Sequence, residues 1–384
     1  MDTTQQSMKL ILVAGARPNF MKIAPLVRAM NRHNEKLENN ATRIEFLIVH
    51  TGQHYDIEMS EVFFRDLGLP KPDINLGVGS ASHAAQTAKI MTGFEGVCLA
   101  EKPDWVVVVG DVNSTMACTL VAAKLGIKVA HVEAGLRSYD RSMPEEINRL
   151  VTDALANLLL TPSPDADENL LREGIPREKI RRVGNVMIDT LIDNLDKARE
   201  LRATDRFELK EHRYVFVTLH RPSNVDNEKT FTSIMGALAG LSERMDVIFP
   251  VHPRTRKQMV SFGILEKAKQ SPRLMITDPM NYLDTICLVE KARFVITDSG
   301  GLQEETTYLK IPCLTVRPNT ERPITISQGT NKLTSLKNLS MDIDQLLNGN
   351  SQRSQIPVMW DGKAGGRVIN QIVKNHKNKH SLLR

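Results

Sequence analysis

Short runs of β-branched and aliphatic residues recur along this chain, each followed by a longer stretch of helical period. That alternation restricts the fold more than any other feature. Lys9–Ala14 (KLILVA), Arg43–Val49 (RIEFLIV), Asp104–Gly110 (DWVVVVG) and Ile127–Val132 (IKVAHV) read as buried strands. Near-continuous apolar strands must be covered on both faces, as in a parallel sheet with helices above and below. Helical stretches around Pro25–Asn34, Glu58–Leu67, Ala84–Leu99 and Thr115–Leu125 fall between them. A Pro-started helix at Pro144–Asn157, a short LLLT strand and a helix near Asp165–Arg172 continue the pattern. Strand–helix alternation of this kind predicts a doubly wound α/β sheet.

The pattern then breaks and starts again. Asn194–Arg213 is charge-dense, as a connecting helix and linker would be. Strands follow at Tyr214–His220, Asp246–His252, Arg273–Thr277, Arg293–Asp298 and Pro312–Val316. A chain of 384 residues exceeds one ordinary core of roughly 100–200 residues. Two Rossmann-like doubly wound domains facing a cleft are therefore expected, the first over 1–193 and the second over 194–362. The polar stretch Asn348–Pro357 reads as a loop leading into a last helix near Lys363–Asn375.

No apolar run is long enough to span a membrane, and the polar start MDTTQQSMK lacks the order of a signal peptide. A cytoplasmic protein is expected. Cys98, Cys118, Cys287 and Cys313 are widely spaced, with no CxxC pair, and read as reduced thiols rather than disulfides or a zinc site. The net charge of +5 is concentrated at one end: residues 362–384 hold Lys363, Arg367, Lys374, Lys377, Lys379 and Arg384 and no acid. That segment carries +6 and the remaining residues −1, so the basic balance says nothing about a substrate. Aromatic residues make up 5%, and no basic–aromatic stripe supports nucleic-acid binding.

In open α/β sheets, ligands bind beyond the carboxyl ends of the strands. After the first strand, Gly15 allows a tight turn, and Arg17 and Lys22 flank a helix beginning near Pro18. Such a helix start suits phosphate; the plainer alternative is a solvated loop. The segment matches neither GxGxxG nor GxxxxGK[ST], so a nicotinamide or nucleoside-triphosphatase role lacks support. Asp111 ends a four-valine strand, where it serves either as a helix cap or as a carboxylate aimed at ligand. His131 and Glu133 end the next strand, and Glu145 and Glu146 open a helix, where one of them suits the helix dipole. Acids gathered in one crevice suit general acid–base chemistry. In the second half, His220–Arg221 and His252–Arg254 end strands and point to an anionic ligand. Ser299–Gly300–Gly301 opens a helix whose amides could approach phosphate, and Glu305, one turn inside, could accept from ribose hydroxyls. Arg322 adds a cation nearby in sequence.

GARPNFMKIAPL, TGQHYD, GDVNST, HVEAGLRS, MPEEINR, TLHRPSN, SGGLQEE and TERP occur in that order. Through them the chain resembles the non-hydrolysing UDP-N-acetylglucosamine 2-epimerases over roughly Lys9–Asn331. The resemblance implies a fold like that of B-type glycosyltransferases, with UDP-sugar in the interdomain cleft. It also implies a C-terminal helix over 363–384 packed back on the first domain, and a homodimer. The reaction it implies eliminates UDP from C1 with loss of the C2 proton, giving an enzyme-bound 2-acetamidoglucal. UDP then re-adds with protonation on the opposite face. By motif, Asp111, Glu133 and Glu145 would be the acid–base carboxylates, and His220 would assist at the diphosphate or in proton transfer. Arg17, Lys22 and the Ser299–Gly301 amides would stabilise the diphosphate. Glu305 would hold the ribose, and Arg322 would sit near nucleotide or sugar. No metal or other cofactor is implied.

Two departures from the family pattern stand out. Gln53–His54 is followed by Tyr55–Asp56 rather than by the stretch carried by substrate-activated members, so activation by UDP-N-acetylglucosamine is not expected. Thr285 stands where members often place a Phe against uracil. Both leave room for another sugar, such as UDP-N-acetylgalactosamine or a diacetamido uronic acid. A glycosyltransferase of the same fold would explain the phosphate site but not the three acids. A catalytically silent UDP-sugar-binding protein would have no need of them.

Overall fold

Among the described residues every strand pairing is parallel, and the two sheets repeat one winding order. The structure is a computed structural model that describes residues 7–37, 41–52, 64–271, 273–350 and 354–381. The first sheet comprises β1 (Ser7–Ala14), β2 (Arg43–His50), β3 (Ile74–Asn75), β4 (Trp105–Val109), β5 (Lys128–Val132), β6 (Leu158–Thr161) and β7 (Ile180–Arg182). Its order is β3-β2-β1-β4-β5-β6-β7. The second comprises β8 (Tyr214–Thr218), β9 (Asp246–Pro250), β10 (Leu274–Thr277), β11 (Phe294–Thr297), β12 (Cys313–Val316) and β13 (Asn331–Thr334). Its order, β10-β9-β8-β11-β12-β13, is the first six strands of the other sheet over again.

The chain divides into two units, residues 1–190 with 358–384 and residues 191–357. In the first, Ile11, Val13, Val106, Val108 and Val129 of the sheet bury against Phe94, Cys98, Cys118 and Val121. In the second, Val215, Val217, Phe249, Phe294 and Ile296 bury against Phe231, Leu238 and Met259. All four cysteines are free and buried. Three strands escape the sequence pattern: β3, β7 and β13. Each lies at a sheet edge and reads IN, IRR or NKLT, so none has the two-faced apolar character of a central strand.

The helix expected to begin near Pro18 begins at Arg17 and runs unbroken to Glu35, so the stretch read around Pro25–Asn34 is its second half and Pro25 lies in its interior. A proline there denies an amide to the carbonyl four residues earlier. That carbonyl, of Met21, accepts instead from the Thr190 hydroxyl at 2.5 Å. The last helix, Ala364–Ser381, packs on the same helix. Both carboxylate oxygens of Asp189 cap its start, accepting from Ala364 N at 3.1 Å and Gly365 N at 2.7 Å. Among the described residues no helix is long and apolar enough to cross a membrane.

Contact between those two helices depends on Gly365, because a Cβ there would lie 2.7 Å from the Pro25 carbonyl oxygen. Gly365→Val should cost about 2 kcal/mol. Calorimetry on the full chain should then show the transition of the first unit lowered by roughly 4–8 °C.

Candidate active site

A doubly wound sheet opens a crevice where neighbouring strands send their following helices to opposite faces. In the first unit that point lies between β1 and β4, and a single side chain bridges it. Asn19, in the first turn of the Arg17–Glu35 helix, accepts from Gly15 N at 3.0 Å and Ala16 N at 2.8 Å. Its amide nitrogen donates to Val109 O, the last residue of β4, at 3.0 Å. Gly15 must be glycine, since a Cβ there would meet Ser114 Oγ at 2.2 Å. Arg17, the first residue of the helix, is exposed.

Charged groups around this crevice are paired. Lys22 and Glu133 form an ion pair in which both side chains are almost wholly buried. Lys22 Nζ lies over Gly110, whose φ of +67° and missing side chain make room for it. Glu133 itself has φ of +73°, the left-handed region that non-glycine residues rarely occupy outside turns and functional sites. Asp111 pairs with Arg149, which also binds Glu146 at 2.6 Å. The Glu146 carboxylate further accepts from Ser138 N and Oγ, each at 3.0 Å, and from Tyr139 N at 2.9 Å. Burial alone would raise the Glu146 pKa, but the Ser138 amide and the Arg149 guanidinium hold it below the usual range. Glu146 is thus the structural acid of the pair that opens the Pro144–Leu155 helix, and Glu145 is the exposed one. Deeper, fully buried His131 bonds both Gly110 O and Asp153.

The second unit repeats the bridge with a carboxylate. Fully buried Asp298, just beyond β11, accepts from His220 N at 3.1 Å, Arg221 N at 2.9 Å and Asn224 Nδ2 at 3.0 Å, all beyond β8. Burial would raise its pKa, but the His220 ring and these donors hold it down. His220 Nδ1 lies 2.9 Å from the same carboxylate, and its side chain is 42% exposed. The bond fixes Nδ1 as a donor and leaves Nε2 for other work. Ser299 caps the Gly300–Leu309 helix without a side-chain bond to its amides, and its own N–H donates to Thr297 Oγ1 at 3.0 Å. A Cβ on Gly300 would lie 2.7 Å from Arg322 Nη1. Arg322 is 7% exposed and paired with Glu304 and Glu321, and Glu321 in turn binds Arg317 at 2.7 Å. Glu305 is also buried and accepts from the Tyr282 hydroxyl at 2.9 Å.

Of the residues singled out from sequence, Asp111, Glu133 and Lys22 surround Gly110, while Glu145 lies exposed in the first turn of its helix. The acids do not press on one another as bare like charges; Asp111 and Glu133 each have a cation. Arg322 supports the Gly300 turn from below rather than reaching out as a free cation. Arg254 is occupied by a surface pair with Asp226, and His252 caps its own helix. Gln53, His54, Tyr55 and Asp56 lie outside the described residues. Thr285 bonds Asn281 O at 2.8 Å, and from the same helix it is Tyr282 that reaches a site acid. Sequence reasoning missed Asn19, Arg149, Asp153 and Tyr282. A readable signal existed for two: Glu146, Arg149 and Asp153 recur at i, i+3 and i+7, one face of a helix.

Comparison with known proteins adds to this geometry. The family model described as UDP-N-acetylglucosamine 2-epimerase matches residues 35–373. The UDP-N-acetylglucosamine 2-epimerase of Methanocaldococcus jannaschii is 42% identical over 369 residues, covering 94% of this chain and 98% of that protein. The UDP-2,3-diacetamido-2,3-dideoxy-D-glucuronate 2-epimerase of Pseudomonas aeruginosa is 38% identical over 372 residues, covering 96% and 100%. The crystal structure of the M. jannaschii enzyme in complex with UDP-GlcNAc and UDP superposes with a TM-score of 0.85 at 40% identity, covering 96% of this chain and 100% of that one.

Glu305 gives the site a pH signature. Burial pushes its carboxyl from the ordinary 4.5 up to about 7; Glu304 adds to the rise and the Tyr282 hydroxyl opposes it. The folded state then holds a proton that the unfolded chain releases, so stability falls as pH climbs from 4.5 to about 7. The loss should be on the order of 3 kcal/mol. Urea unfolding of the full chain at pH 5 and pH 8 should show that loss, and Glu305→Gln should remove most of it.

Proposed function

The chain belongs to the UDP-N-acetylglucosamine 2-epimerase family, and on that premise we propose that it interconverts UDP-GlcNAc and UDP-ManNAc by eliminating and re-adding UDP. The observation that carries this reading is the near full-length match to the M. jannaschii enzyme, whose crystal structure holds UDP-GlcNAc and UDP. The paired acids at one switch point and the open helix start at the other support it.

No carbonyl stands beside C2 to acidify its hydrogen. Departure of UDP must do so, by building positive charge at C1 while a base takes the C2 proton. Asp111, Glu133 and Glu145 share this acid–base work. For Glu133, uptake of a proton cancels its charge and leaves the Lys22 ammonium to the departing diphosphate. The Gly300 and Gly301 amides and Arg17 stabilise the same leaving group, with His220 assisting through Nε2, while the Ser299 amide donates to the Thr297 hydroxyl at 3.0 Å. A preorganised donor of this kind is worth about 10²–10³ in rate. Glu305 accepts from the ribose hydroxyls, and no metal or cofactor is called for. The functional assembly we propose is a cytoplasmic homodimer.

The P. aeruginosa relative favours a second reading, the same chemistry on a UDP-diacetamido uronic acid. Proton NMR in deuterated water with a panel of UDP-hexosamines separates the two. Deuterium should enter C2 of UDP-GlcNAc, with UDP-ManNAc appearing and no free sugar released. If the C2 protons of UDP-GlcNAc and UDP-GalNAc stay unexchanged while the diacetamido uronic acid turns over, the second reading replaces the first. Asp111→Asn and Glu133→Gln should each lower kcat by about 10²–10⁴-fold, and turnover near wild type would show these carboxylates to be misassigned.

A further inference from the structure

His131 sits in β5 two residues before Glu133, with no exposed surface. Its Nε2 lies 2.9 Å from the carbonyl oxygen of Gly110, the residue before Asp111, and its Nδ1 lies 2.6 Å from Asp153 Oδ1. A carbonyl and a carboxylate can only accept, so both ring nitrogens carry hydrogen. The second oxygen of Asp153 accepts from Gly135 N at 3.1 Å and lies 2.7 Å from Arg137 Nη1. Arg137 then grips Glu173 through two bonds, at 2.7 and 2.6 Å. The result is a chain of alternating charge, His131, Asp153, Arg137, Glu173, that begins at the backbone of one acid and runs past the turn of the other.

That turn needs holding. Glu133 is left-handed, with φ of +73°. Gly135 follows at φ of +82°, where a Cβ would come within 2.4 Å of Ala166 O. Asp153 binds both sides of this strained stretch, at His131 before it and at Gly135 and Arg137 after it. It stands on the helix that also supplies Arg149 to Asp111.

Resting on the epimerase reading above, we propose that His131 and Asp153 are positioning residues, which hold the backbone carrying Asp111 and Glu133 in register for C2 proton transfer. Neither reaches the substrate; each acts through peptide groups.

Two replacements at His131 separate its two bonds. His131→Gln can still donate to Gly110 O but not to Asp153, and His131→Asn the reverse. With Asp153→Asn, C2 deuterium exchange should lose between about tenfold and 100-fold in kcat. KM and the UDP dissociation constant should stay within about threefold, because His131 and Asp153 make no contact with substrate and act on the chemical step through peptide groups. His131→Asn should fall as far, and His131→Gln should retain more activity, because it keeps the Gly110 bond. The proposal is overturned by kcat within twofold of wild type in all three variants. It is equally overturned if KM and UDP affinity deteriorate in step with kcat, the mark of general loss of fold. A measurement on the unaltered protein stands beside these, should a variant fail to fold. ¹⁵N-histidine spectra should show His131 with hydrogen on both ring nitrogens, and one bare nitrogen would refute the arrangement. An inactive wild type strikes the epimerase reading itself, whereas active variants of an active wild type strike only this inference.

Discussion

At the centre of each sheet two parallel strands part company, and a buried side chain has to hold their ends together. Asn19 does this between β1 and β4, and Asp298 between β8 and β11. Peptide groups beyond a strand's last ladder bond need partners when buried, and at a switch point no neighbouring strand offers them. An amide can donate and accept at once, so Asn19 joins two amides on one side to a carbonyl on the other. Asp298 faces only donors, and a carboxylate suits four of them. Lys22 and Asp111 stand within three residues of the first bridge, and His220 and the Ser299–Gly301 turn within three of the second, because the crevice each holds open is where the fold leaves space.

The second constraint is charge. A buried ion without a partner is costly, and removing one member of a buried pair leaves the other uncompensated. Lys22 with Glu133, Arg149 with Asp111 and Glu146, and the run Arg317, Glu321, Arg322, Glu304 all obey this. Asp111 and Glu133 can therefore stand near one crevice, each held by its own cation. Glu305 is the exception that shows the rule: its strong partner is a neutral hydroxyl, and burial drives its pKa upward.

Central strands were legible because a strand covered on both faces must be apolar throughout, as Trp105–Val109 is. Edge strands β3, β7 and β13 were not, since one side of each faces no partner strand and tolerates Asn, Arg and Lys. The helix start near Pro18 was legible, but its continuity through Pro25 was not, because a proline reads as a boundary; its compatibility depends on Thr190, 165 positions later in the chain. Site residues at strand ends could be named from sequence, for position and chemistry coincide there. Their partners were harder to name: Glu146, Arg149 and Asp153 share a helix face that the spacing reveals, but what that face meets is a matter of packing. Lys22 and Arg322 were taken as free cations for the same reason: nothing in a linear pattern says that Glu133, Glu304 and Glu321 already hold them.

Once those pairs are counted, the diphosphate has little net positive charge to bind. In the first unit Lys22 is matched, and Arg149 carries two acids. In the second unit Arg317 and Arg322 are matched by Glu304 and Glu321. The +6 of residues 362–384 belongs to the last helix and its tail, outside the switch points. Under the proposed function, what each unit offers an anion is therefore directional: the amides at the start of a helix. Helix-start amides bind an anion without a counter-charge that would hold the released product as tightly as the substrate. For a reaction in which UDP leaves and returns, that balance is an advantage, because a site rich in unpaired cations would stabilise free UDP and stall the re-addition step.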